Sequence, residues 1–271
     1  MFSREIFLKF SIICSNFSEE RVIEAINIAK YKDSVRVINI DKENMDFNSI
    51  GDKYDKSILV NPEDDETAAM LYTSGTTGNP KGVMLSSNNL LGEIDGLFEK
   101  EVITFKDQML VLLPYHHVLP LMATLLLPLK KGLSIVFVEK IASKEILETL
   151  EKNNVTIMVG VPRVYKLFYD GIKNQIESKF ITRKIYAIAE KINSKTFSKM
   201  IFSKVHKRFG GYLNVMVSGG AKLDPEIAKF FNILGFTVCE GYGLTETSPV
   251  IAVNSIKFNK VGTVGKGLYN T

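Results

Sequence analysis

Short runs of β-branched and aliphatic residues alternate with stretches of helical periodicity along most of the chain. Residues 35–40, 109–113, 134–138, 155–159, 213–217 and 236–240 read as strands. Between them, residues 143–153, 162–173 and 224–234 carry helical spacing, the last two with proline at or near the first turn. Near the start, Ser18 precedes an acidic pair and an apolar face of Val22, Ile26 and Ala29, which predicts a capped helix. The most apolar stretch, residues 118–129, is too short to span a bilayer and contains Pro120 and Pro128. It predicts a buried helix ending near Gly132. Strands alternating with helices predict an α/β fold of mostly parallel sheet flanked by helices. A polar stretch at residues 61–66 (N-P-E-D-D-E) divides the chain into residues 1–60, a first α/β unit, and residues 61–271.

Composition leaves that picture in place: 45% apolar and 24% charged residues over 271 positions are globular values. Two cysteines, Cys14 and Cys239, and no His/Cys spacing suited to zinc argue against a disulfide scaffold or a structural zinc site. Lys9 interrupts the apolar N-terminal run, so no signal peptide is expected and the cytoplasm is the expected address. A net charge of +4 argues against a nucleic-acid partner, and its distribution says more. Nine Lys or Arg and a single acid, Glu190, lie between Lys179 and Arg208. That strip of one or two helices reads as a solvated face, with peripheral contact to an anionic membrane or to CoA phosphates as the other readings.

The densest chemistry is Y-T-S-G-T-T-G-N-P-K-G, residues 72–82, between two apolar runs that read as strands. Four hydroxyls (Thr73, Ser74, Thr76, Thr77), three glycines (Gly75, Gly78, Gly82) and Lys81 supply neutral donors, backbone N–H groups free to converge, and a charge. That mixture suits a polyphosphate. A Walker A loop counted from Gly75 would need glycine at position 80 and a hydroxyl at 82, where Pro80 and Gly82 stand, and it would open a helix rather than a strand.

Two further turns follow strands. V-S-G-G-A-K-L, residues 217–223, reads on its own as a tight strand-to-helix turn. In E-G-Y-G-L-T-E-T-S-P, residues 240–249, Gly241 and Gly243 are followed by Glu246 where a dinucleotide fingerprint needs a third glycine. Tyr242 instead offers a flat face for a purine, Thr245 a hydroxyl, and Glu246 a hard carboxylate suited to magnesium. In L-L-P-Y-H-H-V-L-P, residues 112–120, the adjacent His116 and His117 have no carboxylate close by in sequence. A packed or loop histidine is the plain reading.

Taken in order, these stretches resemble the adenylate-forming (AMP-binding) superfamily, and within it the long-chain acyl-CoA synthetases. The resemblance covers most of residues 61–267 and, more weakly, 12–41. It implies the N-terminal lobe of that fold and formation of acyl-CoA, AMP and pyrophosphate from a fatty or other carboxylic acid, ATP and CoA through an acyl-adenylate. By resemblance, Thr73, Ser74, Gly75, Thr76, Thr77, Gly78 and Lys81 would hold the β- and γ-phosphates. Gly219, Gly220 and Ala221 would wall the adenine pocket and Tyr242, beside Gly243, would stack on the base. Thr245 would meet the α-phosphate and Glu246 would hold Mg²⁺; His116 or His117 would flank the carboxylate pocket. Lys81, Thr245 and Glu246 are thus the expected catalytic residues.

Family members continue through a T-G-D segment and a mobile C-terminal domain with a catalytic lysine, and begin with a longer first unit. The expectation is therefore a chain truncated at both ends and inactive alone, or one completed by a second chain supplying the C-terminal domain. A non-catalytic nucleotide- or acyl-binding module is the alternative.

Overall fold

The computed structural model describes residues 10–14, 35–39, 65–73, 79–104, 106–138 and 140–268. The chain divides into two units, Met1–Asn61 and Pro62–Thr271. In the first, β1 (Phe10–Cys14) and β2 (Val35–Asn39) pair in parallel, Phe10 opposite Val35. The helix expected after Ser18 lies outside the described residues.

The second unit begins with an antiparallel hairpin, β3 (Thr67–Thr73) and β4 (Lys81–Ser86), with Thr73 opposite Lys81. Its alternation is two-faced: Leu71 and Leu85 are buried while Met70, Tyr72 and Met84 are exposed. Ser86 ends β4 and caps α1 (Ser87–Glu99): its hydroxyl accepts from the Asn89 amide while the Asn89 side chain accepts from the Ser86 amide.

The main sheet has seven strands. They are β5 (Gln108–Val111), β6 (Ser134–Phe137), β7 (Ile157–Gly160), β8 (Val215–Ser218), β9 (Thr237–Tyr242), β10 (Ala252–Val253) and β11 (Lys266–Gly267). Their spatial order is β11-β10-β9-β8-β7-β5-β6. The strands from β6 to β9 are parallel, and β10 and β11 close the edge antiparallel. This is the α/β architecture with mostly parallel sheet expected from the alternation of elements.

Successive residues of the central strands serve opposite faces. Ile157, Val159 and Val215 join one apolar cluster with Leu90, Ile94 and Met122. Met158 and Met216 join the other, with Tyr165, Phe230 and Phe231. The first face is covered by α1 and by a continuous helical segment made of α2 (Val118–Pro120), a π-helical stretch (Leu121–Leu126) and α3 (Leu127–Lys131). The Thr124 hydroxyl donates to the Pro120 carbonyl, and Pro128, with no N–H, sits where the wide turn ends. Gly132 ends the segment in the left-handed conformation, where the apolar stretch predicted the end of a helix.

The second face carries α4 (Ser143–Lys152), α5 (Pro162–Glu177) and α9 (Pro225–Ile233). The basic strip between Lys179 and Arg208 differs from the expected one or two helices: it forms α6 (Phe180–Ile192), α7 (Lys195–Ile201) and α8 (Ser203–Arg208). Asn193 takes a left-handed φ of 50°, Ser194 then caps α7 through the Phe197 amide, and the chain breaks again at Phe202.

Candidate active site

The carboxyl ends of β5, β7, β8 and β9 open on one side of the sheet, and a cavity of about 880 Å³ lies there. Four chain segments bring polar groups to it. The hairpin contributes Thr73 and Lys81, which face each other across the β3–β4 register. The turn after β5 contributes His116 and His117, whose ring centroids are 4.3 Å apart. The turn after β8 contributes Gly219 and Gly220, and the end of β9 contributes Tyr242, Gly243, Thr245 and Glu246. Ser74, Gly75, Thr76, Thr77 and Gly78 lie outside the described residues. Ala221 is exposed and is not part of the lining.

Each segment is shaped by its own sequence. Tyr165, fully buried on α5, donates its hydroxyl to the Val217 carbonyl at 2.7 Å, with the Met158 carbonyl 3.1 Å away, and so pins the ends of β7 and β8 together. Beyond Ser218 the chain reverses at Gly220, where φ is +77°, a value open to glycine at no steric cost. Past β9, Gly243 packs against backbone: a Cβ there would stand 1.7 Å from the Pro249 carbonyl oxygen. A 3₁₀ turn at Thr245–Thr247 follows, closed by the Thr247 hydroxyl, which the Leu244 amide donates to at 2.9 Å. The Ile251 amide donates to the Tyr242 carbonyl at 2.8 Å, completing a tight loop from Tyr242 to Ile251. β4 lies against the 3₁₀ turn, so Lys81 and the Thr245–Glu246 turn share one rim of the cavity.

Much of the remaining lining is apolar, with Leu97, Val102 and Ile103 from α1 and the segment after it, Val118 and Leu119 from α2, and Ala123 from the π-helical stretch. Tyr242 is 52% exposed, leaving its ring face open, and Lys81 and Glu246 are exposed. Among the described residues, Glu246 is the one carboxylate of the lining. Hard oxygens with a single carboxylate are a donor set that fits magnesium completed by phosphate oxygens and water. Cys239 is buried on β9, and burial pushes its thiol up to about 11, away from the thiolate form a nucleophile needs. Burial likewise raises the Glu240 carboxyl, whose Oε1 accepts from the Gly262 amide at 3.2 Å.

One group went unremarked in the sequence. Glu93 is 6% exposed on α1, and its Oε1 accepts from the Val250 amide at 2.7 Å. Burial pushes its carboxyl up to about 8. Its signal was legible: an acid on the same helical face as Leu90, Ile94 and Leu97.

Residues 8–271 match the family of AMP-binding enzymes. The chain is 32% identical over 216 residues to the peroxisomal long chain acyl-CoA synthetase 7 of Arabidopsis thaliana, covering 75% of this chain and 31% of that protein. It is 32% identical over 222 residues to the long-chain-fatty-acid–CoA ligase FadD15 of Mycobacterium bovis, covering 74% and 36%. The chain thus spans about a third of the length of these curated relatives. In fold it is similar to the inhibitor-bound N-terminal domain of FACL13 from Mycobacterium tuberculosis, with a TM-score of 0.68 at 19% identity over 95% of this chain and 56% of that one. It is similar also to o-succinylbenzoate coenzyme A synthetase from Bacillus subtilis in complex with ATP and magnesium ion, with a TM-score of 0.64 at 22% identity over 96% and 45%. With the sequence match running over residues 8–271 and the fold shared with these enzymes, the chain belongs to the family of AMP-binding enzymes.

Proposed function

We propose that this chain binds ATP and a fatty carboxylate in the cavity above and carries the adenylation half of an AMP-forming acyl-CoA ligase. The reaction has two displacements. A carboxylate oxygen attacks the α-phosphorus of ATP; the new O–P bond forms as the bond to pyrophosphate breaks, giving acyl-adenylate. CoA thiolate then attacks the acyl carbon, and AMP leaves as the C–S bond forms.

The chain's own contribution is position and charge. Lys81, with Thr73 and the loop from Ser74 to Gly78, would neutralise the β- and γ-phosphates. Thr245 would donate to the α-phosphate, Tyr242 would stack on adenine, and Gly219 and Gly220 would form the wall beside the base. His116 and His117 would flank the carboxylate, with its apolar tail against Leu97, Val102 and Ala123. Glu246 would hold Mg²⁺, which supplies charge neutralisation on the polyphosphate. The observation that supports this reading is one cavity whose lining joins Lys81, Thr245 and Glu246 to apolar side chains such as Leu97, Val102 and Ala123.

The test is calorimetric titration with ATP and magnesium, followed by fatty-acid-dependent ATP–pyrophosphate exchange. Binding that Lys81→Ala weakens, together with exchange by the chain, supports adenylation. Exchange that appears only on adding a second polypeptide assigns the remaining steps to that chain. Binding without exchange under any condition leaves a nucleotide-binding module, and absence of ATP binding refutes the proposal.

We also propose that α6 rests on anionic bilayer surface. Phe180, Ile181, Ile188 and Ile192 are 50–70% exposed, and their spacing puts them on one arc of the helix with Lys184 and Lys191. The arc joins apolar side chains to cations, and Lys184 lies 4.5 Å from the Phe180 ring centroid. Among the described residues no helix is long and apolar enough to cross a membrane. Co-sedimentation with phosphatidylglycerol vesicles that is lost in Ile188→Glu and absent with phosphatidylcholine would support this contact; equal sedimentation of the variant would refute it.

A further inference from the structure

Glu93 joins two parts of the site that the sequence holds 157 residues apart. On one side it belongs to the unit bearing Lys81: β4 starts at Lys81, ends at Ser86, and Ser86 caps the helix on which Glu93 stands. On the other side it accepts from the amide of Val250, the residue after Pro249. The Pro249 carbonyl is packed against Gly243 with no room for a methyl group, and the next amide, that of Ile251, donates to Tyr242. A shift of Val250 is therefore passed directly to the loop bearing Tyr242, Thr245 and Glu246. Hairpin and main sheet share no backbone ladder among the described residues, so no strand register fixes the distance between Lys81 and that loop.

The bond is also costly to provide. Glu93 sits among Leu90, Ile94 and Leu97, and its second oxygen, Oε2, is buried with no hydrogen-bond partner among the described residues. An apolar side chain would fill the same helical face without that cost. What the carboxyl supplies and an apolar residue does not is an acceptor for the Val250 amide.

We propose that Glu93 is a positioning residue which, through the Val250 amide, sets the spacing between Lys81 and the Thr245–Glu246 turn and thereby the affinity for the triphosphate. This rests on the nucleotide reading above. It separates ligands by reach: a triphosphate spans from the turn to Lys81, whereas AMP engages the turn and the base pocket alone.

The experiment is calorimetric titration of the whole chain with ATP or with AMP, both with magnesium, for the wild type, Glu93→Gln, Glu93→Leu, Glu93→Met and Lys81→Ala. Glutamine keeps an acceptor for Val250; leucine and methionine remove it while filling the apolar face, and two apolar variants guard against a packing defect particular to one. The expected result is ATP binding weakened about tenfold in the apolar variants, the order set by one buried amide left unpaired, AMP binding changed less than about threefold, and Glu93→Gln within about twofold of wild type. ATP binding unchanged in the apolar variants overturns the proposal. So do equal losses for ATP and AMP, or equal losses in the glutamine and apolar variants, since those mark a general defect of folding. Wild-type chain that does not bind ATP, or binds it equally well after Lys81→Ala, overturns the nucleotide reading itself and this inference with it.

Discussion

Glu93→Gln should stabilise the fold at neutral pH and leave it unchanged in acid. Glutamine is close in shape to the protonated carboxyl, and each leaves one buried polar group unpaired beside the Val250 bond. The difference between wild type and variant is then the free energy of keeping Glu93 protonated in the folded state. The ordinary carboxyl value of 4.5 is raised by burial to about 8. An acid whose folded value lies above its unfolded one destabilises the fold progressively as pH climbs through that window, because the unfolded chain sheds a proton that the folded chain retains. At about 1.4 kcal/mol per unit, the glutamine variant gains nothing below pH 4.5, about 3 kcal/mol at pH 7, and about 5 kcal/mol from pH 8 upwards, where the curve flattens. Urea unfolding followed by circular dichroism at unit steps from pH 5 to pH 9 measures it; the chain has no tryptophan to report by fluorescence. A stability difference that stays flat with pH, or a variant less stable than wild type at pH 8, would show that Glu93 is ionised and paired in the fold and would refute the reasoning.

Lys81→Ala should weaken ATP binding about tenfold or more with little change in unfolding midpoint, because the exposed ammonium contributes charge to the ligand rather than packing to the fold. Stripping magnesium with a chelator should lower ATP affinity in the wild type and lose that effect in Glu246→Ala, which calorimetry in the two buffers reads directly. Gly243→Ala should cost about 2–3 kcal/mol and blunt nucleotide binding, since the new methyl meets backbone that cannot rotate away; an unfolding midpoint equal to wild type would exclude that contact. Tyr165→Phe should cost about 1–2 kcal/mol by leaving the Val217 carbonyl without its buried donor, read as a shift in urea midpoint at constant slope.

What the sequence made legible follows from physics that acts locally. The parallel strands were visible because both their faces are buried, so residues 157–159 (I-M-V) and 215–217 (V-M-V) read as short apolar runs. The β3–β4 hairpin was visible through its apolar runs, and the Gly132 cap through the end of an apolar stretch. The break in the basic strip was harder to see. Asn193 and Ser194 are ordinary polar residues in a helix-like composition, and only the left-handed conformation of the first makes the second a cap. His116 and His117 both line the cavity from a turn, in keeping with their reading as loop histidines. Glu93 had a local signal, an acid on an apolar face, yet its partner is a backbone amide, which leaves no trace in side-chain identity.

The separateness of the β3–β4 hairpin from the seven-stranded sheet carries a consequence for how the site coheres. A two-stranded ribbon is marginal by itself and gains its stability from what it leans on, here α1 and the buried faces of Leu71 and Leu85. Sheet and hairpin are thus two jaws held by side chains and by the Glu93–Val250 bond rather than by a shared backbone weave. A polyphosphate gripped at Lys81 and at the Thr245–Glu246 turn would be one more tie across the gap. Occupancy of the cavity and cohesion of its two jaws would then be a single equilibrium seen from two sides, so that whatever loosens the grip on the ligand also loosens the protein around it.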